Sequence, residues 1–352
     1  MDKYKIDSHK LIYHVPRVYQ WLQGEDIFPI YLEIGLFGGC NHRCIFCAFD
    51  FLKYKPHAQD YKCLKKLIKD TAALGVKSIL FSGEGEPLLY NRINQIVAFT
   101  KKQGIDVALS TNAVLLDRHK AKNMLVNLSW MRVSLNAGTR KGYAKIHQTS
   151  KEDFDKVISN LREAVKIKQK NKYNCTIGVQ FLLISQNYKE VLFLAKILNN
   201  IGVDYLAIKP YTPHPLSNNK TSFIISRHRD IEEKLRCYSR DDFQIIFRNR
   251  SIEKLKEDKP YEYCLGLPFA AHISTDGNIY PCNAFVGKKD FIFGNINQES
   301  FVRIWRSQRR KNISKIVQTA WDVNKCRKSC RLDEVNRYLW ELKNPVTHVN
   351  FI

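Results

Sequence analysis

Three cysteines fall within eight residues of one another in the segment FGGCNHRCIFCAF, at Cys40, Cys44 and Cys47. Thiolates are soft metal ligands that repel one another, so this crowding points to a bound metal rather than to packing. A tetrahedral zinc site takes four protein ligands, which would require a distant fourth. An iron–sulfur cluster held by three thiolates instead leaves one iron open to a small molecule. A second set, Cys264, Cys282, Cys326 and Cys330, supplies four thiolates. That is enough for a complete [4Fe-4S] cluster or for a structural zinc ion, and spacing alone does not choose between them. Cys63, Cys175 and Cys237 stand apart and read as small buried hydrophobes.

Other residues able to do chemistry recur at comparable places. GEGEP at 83–87 reads as an exposed turn with two glycines and two acids, Glu84 and Glu86. STN at 110–112 ends on Asn112, and LNAGT at 135–139 follows Ser134 and contains Asn136. For these polar residues, capping and turn roles compete with ligand binding. KPYTPHP at 209–215 offers Lys209, Tyr211 and His214 as candidate general bases, while Arg132 lies within, and His147 beyond, the WMRVSLN stretch at 130–136.

Positioning these residues requires a regular scaffold, and the chain is patterned as one. IYLEIGL (30–36), KSILFSG, DVALST, WMRVSLN, CTIGVQFLL and DYLAIKPY read as six strands. Helical spacing over 61–74, 92–103, 117–127, 152–169 and 189–200 separates them. Strands alternating with helices call for a parallel sheet with right-handed crossovers. Every candidate site then follows the carboxyl end of a strand, where parallel α/β folds place their chemistry. Past about residue 240 the rhythm breaks: 269–285 reads as a hairpin turning at Asp276-Gly277, followed by a helix from Ser300 and another around 333–342.

Lys and Arg outnumber Asp and Glu 57 to 34, a formal net charge of +23. The basic residues are dispersed along the chain, mostly at helix-surface spacing, which weakens the case for nucleic acid as a partner; a small phosphate-bearing substrate is equally compatible with the excess. No apolar run approaches the roughly 18 residues of a membrane span, and the first thirty residues lack a signal-peptide core. A soluble, cytoplasmic protein whose ten cysteines are ligands or buried thiols is expected.

The triplet, with Phe46 just before its last cysteine, resembles the cluster motif of the radical S-adenosylmethionine (SAM) superfamily. SGEGEPLL at 82–89 is similar to that family's GGEP motif, with Glu84 in place of a glycine. The resemblance implies an α/β fold, a partial (β/α)6 TIM-like barrel over 30–245, preceded by an extension over 1–29. It implies that a [4Fe-4S] cluster on Cys40, Cys44 and Cys47 chelates SAM. Phe46, Gly83, Glu84, Gly85, Glu86, Asn112, Ser134 and Asn136 then become the cofactor-binding candidates. By the same resemblance, a 5′-deoxyadenosyl radical removes a hydrogen atom from substrate, and a flavodoxin or ferredoxin supplies the electron.

CLGLPFAAHISTDGNIYPC (264–282), FGNI (293–296) and SFVRIW (300–305) resemble SPASM and twitch auxiliary-cluster domains. That implies a small C-terminal α+β domain over 246–352 with a second [4Fe-4S] cluster on Cys264, Cys282, Cys326 and Cys330. Four cysteines rather than seven favour the shorter, one-cluster case. Similarity to twitch-type dehydrogenases implies oxidation of an alcohol in a sugar, nucleotide sugar or aminocyclitol, with the auxiliary cluster accepting an electron. The alternatives are maturation of a ribosomally made peptide and RNA modification.

Overall fold

Runs rich in β-branched and aromatic residues form short strands: β1 (Tyr31–Ile34), β2 (Ser78–Phe81), β3 (Asp106–Thr111), β4 (Trp130–Ser134), β5 (Thr176–Leu183), β6 (Tyr205–Pro210), β7 (Gln244–Phe247), β8 (Ala270–Ile273), β9 (Asn278–Tyr280) and β10 (Gly294–Asn295). The computed structural model describes residues 3–223 and 228–351 of the chain. Among the described residues all ten strands lie in one sheet, ordered β10-β9-β8-β1-β2-β3-β4-β5-β6-β7. Pairing is parallel from β8 through β1 to β7 and antiparallel for β8-β9 and β9-β10. With β7 and β10 at its two edges the sheet stays open, the arrangement of a partial TIM-like barrel.

The helices are α1 (Val15–Leu22), α2 (Tyr61–Ala73), α3 (Ile93–Lys102), α4 (Arg118–Leu125), α5 (Arg140–His147), α6 (Glu152–Asn171), α7 (Glu190–Ile201), α8 (His228–Leu235), α9 (Asn249–Glu253), α10 (Phe301–Arg306), α11 (Gln308–Thr319) and α12 (Asp333–Lys343). Side-chain caps fix several starts: Asp60 accepts from Cys63 N, Asp117 from Lys120 N, Thr139 from Gly142 N and Ser300 from Arg303 N. None of the described helices is long and apolar enough to cross a membrane.

Period-2 alternation divides the sheet into two faces. Leu32, Ile34, Phe81, Val107, Leu109, Met131, Val133, Val179, Phe181 and Ile208 are fully buried on the outer face, in one cluster with Leu64, Ile68, Ile96, Leu161 and Leu194 of the helices. The opposite residues point into the lumen. Parallel register aligns Glu33 with His272, Ser110 with Arg132, Arg132 with Gly178, Ser134 with Gln180, and Leu182 with Lys209. One side of the sheet is therefore oily and helix-covered, and the other is polar.

Three features depart from the sequence expectation. The hairpin, expected in a separate small domain, extends the core sheet, because β8 pairs in parallel with β1. β7, which pairs with β6, spans the expected boundary at 245. The segment expected as an N-terminal extension is also integrated: Leu11, Val18, Trp21 and Ile27 share a cluster with Leu265, Phe269 and Leu339.

Candidate active site and metal centres

The β1–α2 loop carries Cys40, Cys44 and Cys47, and it is pinned at both ends. Phe37 bridges Ala58, and Gly38 N donates to His57 O at 2.8 Å. Its middle docks on the last turn of α5, where Arg43 N and Ile45 N donate to the carbonyls of His147 and Ile146, each at 3.0 Å. Burial, reinforced by Glu86 and Cys47, pushes the Cys40 thiol up to about 12. Burial and its two sister thiols raise Cys44 well above the ordinary thiol value. Three mutually repelling, half-sequestered sulfurs suit a cationic metal centre as donors and suit little else.

The GEGEP turn packs directly on this loop. Glu86 N donates to Gly39 O at 2.9 Å, and Gly85 has a φ of +71°. A Cβ at Gly85 would lie 2.1 Å from Phe37 O and 2.4 Å from Gly39 O, so only glycine fits. The buried Glu86 carboxylate accepts from Thr111 Oγ1 at 2.5 Å, Asn112 N at 2.8 Å and Leu88 N at 3.0 Å. Burial still raises its carboxyl against these bonds. The turn is thereby fastened to the end of β3, where Asn112 Nδ2 donates to Asn41 Oδ1 at 2.7 Å within the cysteine loop.

Glu84, the departure from GGEP, reaches towards the hairpin instead. Its Oε1 lies 3.1 Å from His272 Nε2, and its Oε2 accepts from Thr275 N at 2.7 Å. His272 Nδ1 lies 3.9 Å from Glu33 Oε2. Burial disfavours a charged imidazole here, but Glu33 and Glu84 carry His272 up to about 9. Glu33 in turn pairs with Arg331, one residue beyond Cys330, at 2.7 Å.

Of the β4 candidates, Ser134 faces the lumen, and Asn136 is almost fully buried. Asn136 Oδ1 accepts from Leu182 N at 2.6 Å, while its Nδ2 is buried without a hydrogen-bond partner among the described residues. A free amide donor beside the cysteine loop fits a ligand oxygen. Asn136 N also donates to His147 Nε2 at 3.1 Å, which fixes the tautomer: Nδ1 carries the proton and donates it to Cys44 Sγ at 3.3 Å. His147 sits at the end of α5, a helix absent from the sequence expectation although Thr139 and the spacing of Tyr143, Ile146 and His147 signal it. Phe46 packs edge-on to the His147 ring at 5.5 Å and belongs to an apolar cluster with Ile146, Ile184 and Tyr211.

The three base candidates have different surroundings. Lys209 faces the lumen, and burial followed by Arg248, Arg327, Arg132 and Arg331 holds its ammonium well below the usual lysine range. Tyr211 is buried in the Phe46 cluster, where burial raises its hydroxyl. His214 has both nitrogens engaged: Nδ1 accepts from Leu216 N at 3.1 Å and Nε2 donates to Asn283 O at 3.0 Å. Its ring stacks on Phe51 at 5.0 Å, which places it between the Cys47 and Cys282 loops.

The second cysteine set converges around the hairpin and the start of α12. Cys264, Cys282 and Cys330 line an apolar cluster with Tyr280, Phe285, Trp321 and Leu332. Burial and the neighbouring Cys330 thiol push Cys264 up to about 12, and burial with Cys330 and Cys264 raises Cys282 well above the ordinary thiol value. Two N–H donors already point at sulfur: Trp321 Nε1 to Cys326 at 3.3 Å and Asn336 Nδ2 to Cys264 at 3.5 Å. Four converging sulfurs with N–H···S support fit a fully ligated cluster. The 209–219 loop joins the two sets. Asn219 Nδ2 donates to Cys47 O at 2.6 Å, Thr212 Oγ1 lies 2.8 Å from Ser329 Oγ, and Arg327 Nη2 donates to Thr212 O at 2.7 Å.

Residues 34–198 match the family model of the radical SAM superfamily, and residues 264–331 match that of the SPASM iron-sulfur cluster-binding domain. The chain carries a radical SAM domain and a SPASM iron-sulfur domain. It is 24% identical over 299 residues to a tungsten-containing aldehyde ferredoxin oxidoreductase cofactor-modifying protein of Pyrococcus furiosus, covering 79% of this chain and 81% of that one. It is 24% identical over 264 residues to a probable GTP 3',8-cyclase of Saccharolobus solfataricus, covering 71% and 82%. Among solved structures, Streptococcus suis SuiB bound to S-adenosylmethionine superposes with a TM-score of 0.67 at 17% identity, covering 94% of this chain and 79% of that one. anSMEcpe with bound AdoMet gives 0.59 at 18%, covering 88% of each. At these identities the two structures establish the fold alone. The two domains imply two [4Fe-4S] clusters and SAM, and both donor sets of this radical SAM protein fit them.

Proposed function

We propose that this radical SAM enzyme removes a hydrogen atom from a small polar substrate held in the lumen and oxidises an alcohol there. Cys40, Cys44 and Cys47 would hold the SAM-binding cluster, and Cys264, Cys282, Cys326 and Cys330 the auxiliary one. When bound, these groups supply a radical that abstracts hydrogen and an acceptor for the electron that follows. The observation that carries the reading is the docking of the 83–86 turn on the cysteine loop through Glu86 N and Gly85, with Asn136 Nδ2 left free beside it.

The protein's own residues set the conditions. Phe46, Ile146, Ile184 and Tyr211 make an apolar wall that keeps water from the reacting carbon. Lys209 Nζ, whose proton affinity is lowered by burial and by four arginines, accepts the hydroxyl proton as the substrate is oxidised. His214, with both nitrogens bound to backbone, is a positioning residue for the loops around Cys47 and Cys282.

Isotope transfer tests this reading. Candidate sugars and aminocyclitols deuterated at the carbinol carbon should pass deuterium into 5′-deoxyadenosine, with a ketone appearing in equal amount. Deuterium transfer from a peptide side chain, with none from any alcohol, would replace the reading with peptide modification. SuiB, which shares the fold, has been solved bound to its precursor peptide SuiA.

A further inference from the structure

Three aromatic rings meet beside the second cysteine set. Phe285 stacks on Phe291 with centroids 4.4 Å apart, and Trp321 meets both edge-on at 5.0 and 5.5 Å. Phe285 lies just after Cys282 in the chain and Trp321 just before Cys326, so the rings clamp two cysteine-bearing loops together. The half-buried Lys288 holds its ammonium over them: Nζ is 4.6 Å from the Trp321 centroid, 5.7 Å from Phe285 and 6.0 Å from Phe291. From the same indole, Nε1–H donates to Cys326 Sγ at 3.3 Å. Packing accounts for the three rings, but not for a cation and an N–H···S bond that meet on one of them.

A cation over an aromatic face draws the ring's electron density towards itself. The indole N–H then becomes a stronger donor, and a donor to a thiolate stabilises the state of a metal centre that carries more negative charge. We infer that Lys288 and Trp321 act as one unit that raises the reduction potential of the auxiliary cluster. Trp321 does so through its bond to Cys326, and Lys288 is a positioning residue that acts through Trp321. In the reaction proposed above, this makes the centre a better acceptor for the electron that leaves the substrate. The inference rests on the reading of Cys326 as a ligand of that cluster.

The test is an EPR-monitored redox titration of the anaerobically reconstituted full-length protein, run with and without SAM, each variant being checked for iron content. The signal that SAM leaves unaltered reports the auxiliary cluster. Trp321→Phe keeps a ring and loses the donor; it should lower the midpoint, shifting the reduction equilibrium about tenfold, or about 59 mV for a one-electron couple. Lys288→Met should shift that equilibrium about threefold in the same direction, and Lys288→Arg should restore it. Lys289→Met removes the same charge from an exposed neighbour and should leave the midpoint where it is. Combined with Trp321→Phe, Lys288→Met should add less than it does alone, because the bond through which it acts is gone. The inference is overturned if Trp321→Phe leaves the midpoint unmoved at full iron content, if Lys288→Met leaves it unmoved or matches Lys289→Met, or if Lys288→Met acts equally with and without Trp321. Should Trp321→Phe fail to hold iron, the comparison of the two lysine variants decides alone. Wild-type iron content in Cys326→Ala would instead remove the ligand assignment, a failure separate from that of the tuning pair.

Discussion

His147 shows how one side chain can set the properties of a metal centre without being a ligand. Because its Nε2 accepts from the Asn136 backbone, its Nδ1–H is committed to Cys44 Sγ. An N–H···S bond withdraws charge from a cluster thiolate and favours the reduced state. His147→Phe should lower the midpoint potential of the SAM-binding cluster, measured by an EPR-monitored redox titration, without reducing iron content; an unshifted potential would assign His147 to packing alone. Lys209 acts by a different route, through a proton. Its depressed proton affinity means that oxidation should fall as pH drops through its lowered pKa and stay level above it. Lys209→Met should still transfer deuterium to 5′-deoxyadenosine but yield little ketone, and wild-type ketone formation would remove Lys209 from the reaction.

Turns and hairpins, more than strands, carry the assembly of the site. Gly85 has both a left-handed φ and backbone carbonyls where a Cβ would sit, so Gly85→Ala should destabilise the fold by more than about 1 kcal/mol and cut iron incorporation at the triplet. Equal iron and an unchanged unfolding midpoint would show the turn to be tolerant. The β8–β9 hairpin is held to that turn by the Glu84–His272–Glu33 triad. With the His272 pKa raised from 6.5 to about 9, the triad's stabilisation is complete below pH 6.5 and is lost as pH rises through about 9. Urea midpoints should therefore decline across that window in the wild type, and His272→Gln should flatten the decline.

The sequence displays the strands and both cysteine sets because those features are local: periodicity, spacing and a Gly-rich turn. Glu84 could be read only as a substitution in GGEP, since its partners His272 and Thr275 are nearly two hundred residues away in the chain. Helix α5 was obscured by Gly142, which weakens its helical pattern. The pairing of Arg248 with Asp7 and of Arg331 with Glu33 joins residues hundreds of positions apart, which no short window shows.

Over the whole molecule, one sheet links both cysteine sets: β1 leads into the first, and its parallel neighbour β8 turns into the second through β9. The 209–219 loop and the Arg331–Glu33 pair close the space between them. Part of the +23 net charge thus lies inside the protein, turned towards the lumen rather than towards a polyanion outside. The chain has donor sets for two clusters, and we propose that the first alone cleaves SAM. Anaerobic reconstitution followed by iron analysis and 5′-deoxyadenosine quantitation with dithionite and SAM tests this directly. The wild type should hold about eight irons per chain and cleave SAM, while a Cys40, Cys44 and Cys47 triple-alanine variant should hold about four and form no 5′-deoxyadenosine. Four irons with bound zinc in the wild type, or SAM cleavage that survives loss of the triplet, would contradict it.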